Sequence, residues 1–368
     1  MSGRGARRRL VLLGGGHAQL AVLAWLARAR PAGVEAVLVT PQPRQVYSGM
    51  LPGWLAGHYT EAQCVIALAP LAQAAGVMLR RAAAVGLDAD ARQVRLDDGG
   101  TLGYDWLSVN TGPAQEAARW GVAPLRPIEG WLVRTRQRLA EAPPRRVVVV
   151  GGGAAGFELA LAWRHRLGPA AGVTLVSGRS GLLANYPEGV RRLGRQALAA
   201  RAVTLIETRA VSGGPHGVVL ADRTEVAADE VVLATGSVAP SWLDGCGLQR
   251  APDGGLATGP TLQSVSHPEV FAAGDVASRL ERPLPHSGVY AVRAGVALAA
   301  GLRAALAGAP APLWHPPQHT LNLLSLGDRD AIASWGPLAL QGPWIWRWKD
   351  RIDRGFMRRH GTPACAQD

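Results

Sequence analysis

The residues best placed to do chemistry are two glycine clusters, Gly14-Gly15-Gly16 and Gly151-Gly152-Gly153, each at the end of a short apolar run. Glycine lets a backbone turn sharply and approach a pyrophosphate closely. The free N–H groups and dipole of a helix that starts there then favour the phosphate charge. Gly151, Gly153 and Gly156 complete the spacing G-x-G-x-x-G, whereas Gln19 replaces the third glycine after Gly14 and Gly16. That third glycine serves close helix–strand packing, so its loss bears on packing more than on phosphate contact. Binding of dinucleotides is the chemistry implied, with His17 and Ala18 opening the first helix.

An acidic residue usually ends the second strand of such a unit, about 20 residues after the glycines, and binds a ribose hydroxyl. Thr40 and Ser177 take those places here. Arg179, two residues beyond Ser177, suits the 2′-phosphate of NADP, which favours NADPH over NADH. The plain alternative is a solvated loop arginine.

The elements that must hold these turns occur twice. Apolar runs at 8–13 and 145–150 meet the glycines, helical stretches rich in alanine and leucine follow, and further apolar runs come at 36–40 and 173–177. This is one βαβ unit appearing twice. Segments 104–112 and 229–236 also echo one another, closing on Thr111-Gly112 and Thr235-Gly236. Each follows alternating, turn-rich sequence, at 94–102 and 218–226, that reads as small antiparallel strands. Each unit therefore ends with a β-meander and a strand that returns to its own sheet. Gly112-Pro113 and Val238-Ala239-Pro240 look like crossings between domains. The expected fold is α/β: two interleaved Rossmann-like domains with β-meanders and a short C-terminal helical segment.

Composition narrows the classes. The chain of 368 residues is 48% hydrophobic and 18% charged, which suits a globular protein and argues against disorder. The net charge of +12 comes almost wholly from arginine, with Lys349 the only lysine. No recognition module accompanies that charge, so no nucleic-acid partner is expected. Cys64, Cys246 and Cys365 lie far apart, which excludes a disulfide framework, paired zinc ligands and any close dithiol. No metal site is expected. The basic N-terminus, residues 1–9, runs into an apolar stretch that ends at Gly14, too short for a secretory signal. No window approaches the roughly 20 apolar residues that span a bilayer, so the expected location is cytoplasmic.

With these motifs the chain resembles the flavoproteins with two dinucleotide-binding domains, the pyridine nucleotide-disulfide oxidoreductase superfamily. A third marker runs from Thr261-Leu262-Gln263-Ser264 through Pro268-Glu269-Val270-Phe271 to Gly274-Asp275. The resemblance places Asp275 on the ribityl chain of FAD. It implies an FAD domain of 1–115 with 237–305, an inserted NAD(P)H domain of 116–236, and a C-terminal interface segment of 306–368. Within the superfamily, the chain is similar to stand-alone relatives of the flavoprotein module fused to selenophosphate synthase (selenide, water dikinase). That likeness rests on Gly14-Gly15-Gly16-His17-Ala18, on 47–53 including Pro52, on Gly57-His58-Tyr59, and on tail segments 323–328 and 346–353. Such relatives are described as NADH dehydrogenase-like, and the kinship suggests a tie to selenium or sulfur metabolism.

The resemblance implies that NAD(P)H gives a hydride to the flavin, whose ring carries the hard chemistry. Glu158, two residues after Gly156, stands where the superfamily often has a glutamate near the nicotinamide; a solvated helix residue is the alternative. Disulfide reductases and sulfide:quinone oxidoreductases of the superfamily use paired cysteines, which this chain lacks. Direct transfer from flavin to a quinone or another small acceptor remains, as in type II NADH dehydrogenases. The segment 47–53 would lie near the flavin, with Tyr47 and Ser48, as would His286 and Tyr290, which could donate protons to a reduced acceptor. Val289 and Arg293 stand where quinone-reducing relatives carry glutamines, which favours as a second reading a redox-sensing or partner-binding flavoprotein. In the tail, Trp344, Ile345, Trp348, Ile352 and Phe356 make an apolar stripe at helical spacing. Arg347, Lys349, Arg351, Arg354, Arg358 and Arg359 surround it. Such a helix over 344–359 suits a membrane interface; packing on the flavin domain or a homodimer contact would use the same stripe.

Overall fold

Nearly continuous apolar runs build two parallel sheets, as strands buried on both faces require. The structure is a computed structural model describing residues 8–115, 120–236 and 238–361. Residues 1–7, Cys365 and the expected boundary positions 116 and 237 lie outside the described residues. The chain divides into two compact units: 1–45, 66–114 and 238–317 form one; 46–65, 115–237 and 318–368 form the other.

In the first unit five parallel strands stand in the order Val270–Ala272, Trp106–Val109, Arg8–Leu13, Val34–Val39, Met78–Arg80. Leu10, Val11 and Leu12 have no exposed area, so this central strand is wholly interior. A meander of Ala84–Asp88, Gln93–Leu96 and Thr101–Gly103 precedes the strand Trp106–Val109, which returns beside Arg8–Leu13. Helix His17–Arg28 packs on helix Gly288–Leu306. A Cβ on Gly295 would stand 2.9 Å from the Ala18 carbonyl oxygen, so glycine sets how closely these helices meet.

Contrary to expectation, one helix, Gly288–Leu306, is long and apolar enough to cross a bilayer by length and composition. Its apolar side is taken up within the unit, with Leu298 and Leu302 fully buried. Interior helices read this way because both lipid and a protein core demand apolar surface.

The second unit repeats the plan. Its parallel sheet runs Val203–Ile206, Gly172–Val176, Arg146–Val150, Glu230–Leu233, with a meander of Ala210–Gly214, Gly217–Leu220 and Glu225–Ala227. Helix Ala154–Leu167 buries Phe157 and Trp163 completely and packs on the short helix Leu51–Ala56. An antiparallel sheet of Asn322–Ser325, Ala331–Trp335 and Leu338–Gly342 leads into helix Pro343–His360.

That last helix corrects the expected single stripe. Ile345 and Phe356 face inward, together with Lys349 and Asp353, all at most 9% exposed. Trp344, Trp348 and Ile352 are 53%, 42% and 42% exposed on another face. Lys349, expected among the surface basic residues, is instead buried. The cause is a charge pair at i and i+4 within the inward face, which an apolar–polar count assigns to solvent.

Candidate nucleotide turns and a buried charged cluster

The first glycine turn is clamped from behind by one residue, Asn110. Its carbonyl accepts from Gly16 N–H at 3.2 Å, and its side-chain Oδ1 accepts from Ala18 N–H at 3.0 Å. Its Nδ2 donates to the Ala273 carbonyl, beside Gly274. Gly14 has φ +93°, and a Cβ there would stand 2.5 Å from the Asn110 carbonyl oxygen. The turn must therefore be bare backbone; Gly16 supplies no cap of its own, and the Asn110 side chain takes the Ala18 N–H in the first turn of the helix. Gln19 takes the place of the missing glycine without leaving a polar group stranded. It is fully buried, donates Nε2–H to the Ser108 carbonyl at 2.9 Å and accepts from Ser108 Oγ at 3.2 Å.

Thr40 is buried at the end of its strand, Thr111 and Gly112 follow Asn110, and Gly112 turns at φ +73° with open space around it. Gly274, Asp275, His286 and Tyr290 line one pocket of the first unit, with Arg279 and Trp314 on its wall. The Gly-Asp pair and the two expected proton donors thus meet. Asn110 was missed as a site residue, although its place directly before Thr111-Gly112 marked it as the end of a strand that abuts a phosphate turn.

In the second unit Gly151 has φ +130° and a Cβ there would meet the Ala234 carbonyl oxygen. Gly156 leaves no room for a Cβ against the Gly151 carbonyl, the close helix–strand packing expected of a third glycine. In front of Gly153 there is open space, and the helix beginning at Ala154 has no side-chain cap. Thr235 and Gly236 follow the returning strand, and Ser177 is buried where its strand ends. Arg179 is exposed in the loop beyond.

Glu158 is not a solvated helix residue. Its Oε1 accepts from the Ser325 backbone N–H at 2.8 Å. Burial pushes its carboxyl up to about 7, against the pull of Lys349 and of that N–H. Burial also opposes the charge of Lys349, but Asp353 and Glu158 outweigh it and the ammonium pKa ends raised. Lys349 Nζ donates to Asp353 Oδ2 and to the Gly49 carbonyl, both at 2.6 Å. Tyr47 O–H donates to the other oxygen, Asp353 Oδ1, at 3.1 Å, and its ring stacks on Phe356 at 4.3 Å. Burial and then Asp353 raise the Tyr47 phenol far above its ordinary range.

Tyr47 and Ser48 therefore fall in the second unit, beside Lys349 and Asp353, whereas His286 and Tyr290 belong to the first. Pro52 is buried in the first turn of helix Leu51–Ala56. Lys349 and Asp353 were missed as site residues; the signal was that the chain keeps a single lysine. A glutamate titrating near neutrality beside a buried ammonium–carboxylate pair can hold and release a proton at working pH. Cys64 lies in the same region, and burial pushes its thiol up to about 12. It and Cys246 are free and buried. Among the described residues no group of three or more His, Cys, Asp or Glu could hold a metal ion.

Two bare glycine turns, each at a helix start and each at the end of a central parallel strand, are the arrangement that binds dinucleotides. Residues 8–295 match the family described as pyridine nucleotide-disulphide oxidoreductase, and the chain belongs to that family. It is an oxidoreductase that works with FAD and NAD(P)H, and the turns fit the phosphates of both. The demethylphylloquinone reductase NdbB of Synechocystis sp. is 26% identical over 92% of this chain and 89% of its own length. The ferroptosis suppressor protein 1 of Taeniopygia guttata is 27% identical over 70% of this chain and 71% of its own. Among solved structures, the sulfide:quinone oxidoreductase of Aquifex aeolicus superposes with a TM-score of 0.75 at 18% identity, covering 96% of this chain and 91% of that one.

Proposed function

We propose that this chain is an NAD(P)H:quinone reductase that passes electrons from FAD directly to a quinone or similar small acceptor, with no redox-active disulfide. FAD, when bound, would accept a hydride from the nicotinamide and hand its electrons on. The observation that carries the reading is the cluster of half-buried Glu158 and Tyr47 around the buried pair Lys349 and Asp353. A quinone needs protons as well as electrons, and this cluster holds protons on a raised carboxyl and a phenol around a buried ion pair. The full-length likeness to a demethylphylloquinone reductase supports the same acceptor class.

In this reading the expected FAD domain, 1–115 with 237–305, uses Gly14, Gly15, Gly16, His17, Ala18, Thr40, Pro52, Thr111, Gly112, Gly274 and Asp275. The expected NAD(P)H domain, 116–236, uses Gly151, Gly153, Gly156, Glu158, Ser177, Arg179, Thr235 and Gly236. His286 and Tyr290 supply polar groups beside Asp275. The exposed Trp344, Trp348 and Ile352, flanked by Arg347 and Arg351, serve as a peripheral contact with the cytoplasmic membrane face, where a quinone would be met. A homodimer contact would cover the same face. The kinship with the module fused to selenophosphate synthase rests on its motif residues, and selenium or sulfur genes beside this one would support it.

The test is turnover of the FAD-loaded variant Cys64→Ala/Cys246→Ala/Cys365→Ala with NAD(P)H and a water-soluble quinone. Turnover within about twofold of the parent agrees with direct transfer, in keeping with the small effect of substitutions outside a site. Loss of turnover in a folded, FAD-loaded protein refutes it. The second reading, a redox sensor, rests on Val289 and Arg293 in place of glutamines, and multiple rapid turnovers would end it.

A further inference from the structure

The motif Gly57-His58-Tyr59 stands outside both glycine turns and outside the charged cluster, yet it borders a cavity of about 330 Å³ within the second unit. That volume lies at the lower end of ligand pockets, roughly 300–1,000 Å³. The walls come from helix Leu51–Ala56 and the turn after it, from helix Ile128–Glu141, and from the last turn of helix Ala154–Leu167. Trp54, Tyr59 and Leu139 give them apolar surface, and Arg136 and Arg166 bring charge.

The aromatic walls are fixed by contacts of their own. Trp54 meets Trp131 edge-on, with ring centroids 6.1 Å apart. Tyr59 is 8% exposed and its hydroxyl donates to Asp350 Oδ1 at 2.8 Å, so its ring is what it offers the cavity. Rings held in this way take a planar partner at little cost in ordering. The two cations are not equivalent. Arg136 Nη1 is held by Glu61 Oε2 at 2.8 Å. Arg166 has no hydrogen bond or ion pair among the described residues. Its Nη1 lies 2.8 Å from where a Cβ on Gly57 would stand, and Gly57 turns at φ +88°. The bare turn thus lets an unpaired guanidinium lie at the cavity. A cation in the last turn of a helix also offsets the helix dipole, but that role needs neither a cavity nor a glycine beneath it.

We propose that this cavity binds a small aromatic carboxylate, with the ring against Trp54 and Tyr59 and the carboxylate on Arg166. A guanidinium with its fork unused takes a carboxylate through parallel hydrogen bonds. One unpaired cation matches a singly charged anion, whereas a phosphomonoester, at roughly −1.5 to −2, would keep charge uncompensated. A flexible acyl chain gains least from fixed rings, because it must be ordered against them. The ligand is distinct from nucleotide and quinone: the lining shares no residue with the second glycine turn or with Glu158, Lys349, Asp353 and Tyr47. The motif then has a physical reason. Gly57 admits Arg166, His58 ties the turn down through the Gly327 carbonyl at 2.9 Å, and Tyr59 forms the wall.

Binding is read without turnover, by calorimetry on the FAD-loaded full chain with 2-naphthoate, with 2-naphthamide, which lacks the charge, and with octanoate, which lacks the ring. The expected result is that 2-naphthoate binds at least about tenfold more tightly than either, with saturating NADPH present or absent. Arg166→Gln should weaken 2-naphthoate by about tenfold and leave 2-naphthamide unchanged. Trp54→Leu should weaken both aromatic ligands. Arg136→Gln, which gives up a cation already spent on Glu61, should change 2-naphthoate by less than about threefold. Arg166 is exposed, so its variant should fold as the parent does and tests the idea even where Trp54→Leu fails to fold. No saturable binding of 2-naphthoate overturns the proposal, as does binding that survives Arg166→Gln or is lost when NADPH saturates. Octanoate binding as tightly as 2-naphthoate overturns it too, and the cavity would then be an acyl site.

Discussion

At the residue scale the account turns on Glu158. Its pKa, raised to about 7, lies above the ordinary carboxylate value, so the folded state favours the protonated form. The stability tied to that proton is full below the unfolded value near 4.5 and is lost as pH rises through about 7. Glu158→Gln, which imitates the protonated form, should match the parent in thermal unfolding at pH 4. At pH 8 it should be the more stable, by up to ~3 kcal/mol. The same variant should lose an inflection near pH 7 in quinone turnover. Equal unfolding curves at both pH values would show that Glu158 is not held in a desolvating site.

Lys349 gives the complementary case. Removing one member of a buried ion pair leaves the other charge uncompensated, so Lys349→Ala should cost about 3–5 kcal/mol by denaturant unfolding. Lys349→Met with Asp353→Leu should recover most of that loss, because the stranded charge goes too. If the double variant is no better than the single one, the pair is not the reason for the loss.

At the element scale the two βαβ units, both meanders and both returning strands were legible. Glycine turns, apolar runs and Thr-Gly closures are local signals, and local signals survive in a linear reading. Gln19 shows where such reading stops. A glutamine at a helix–strand contact looks like a defect, yet it satisfies Ser108 through two hydrogen bonds. Gln19→Ala should destabilise the first unit by about 1–3 kcal/mol, since it strands a buried carbonyl and a hydroxyl. Gln19→Gly should be no better, although it restores the usual motif. Thermal unfolding of both variants checks this, and a stabilised Gln19→Gly would contradict it.

The helix Pro343–His360 was placed correctly and its faces were not. Its inward side carries Lys349 and Asp353, whose partners Gly49 and Tyr47 lie some 300 residues away in sequence. No spacing rule within one helix contains that information. For the same reason the charged cluster was half visible: Lys349 and Asp353 stood in the tail motif 346–353, but nothing in that motif turned them inward towards Tyr47 and Gly49.

At the scale of the whole molecule, the chain is an NAD(P)H-dependent flavoenzyme with net charge +12 and an apolar, arginine-flanked outer face on its last helix. Such a face should bind anionic vesicles in co-sedimentation, weaken with salt, and lose binding when Trp344, Trp348 and Ile352 are changed together to serine. Because those side chains are exposed, the triple variant should unfold within roughly 0.5 kcal/mol per site of the parent. Retained vesicle binding would point instead to a protein contact on that face.

The central claim is that reducing equivalents enter from NAD(P)H and leave directly from the flavin to a quinone. The most direct measurement is an anaerobic titration of the FAD-loaded protein with NADPH and, separately, NADH, followed by a water-soluble quinone. The account predicts that the oxidised-flavin absorption band bleaches, more readily with NADPH, and that the quinone restores it over many cycles. A fully FAD-loaded sample that neither nucleotide bleaches, or a reduced flavin that no quinone reoxidises, would contradict it.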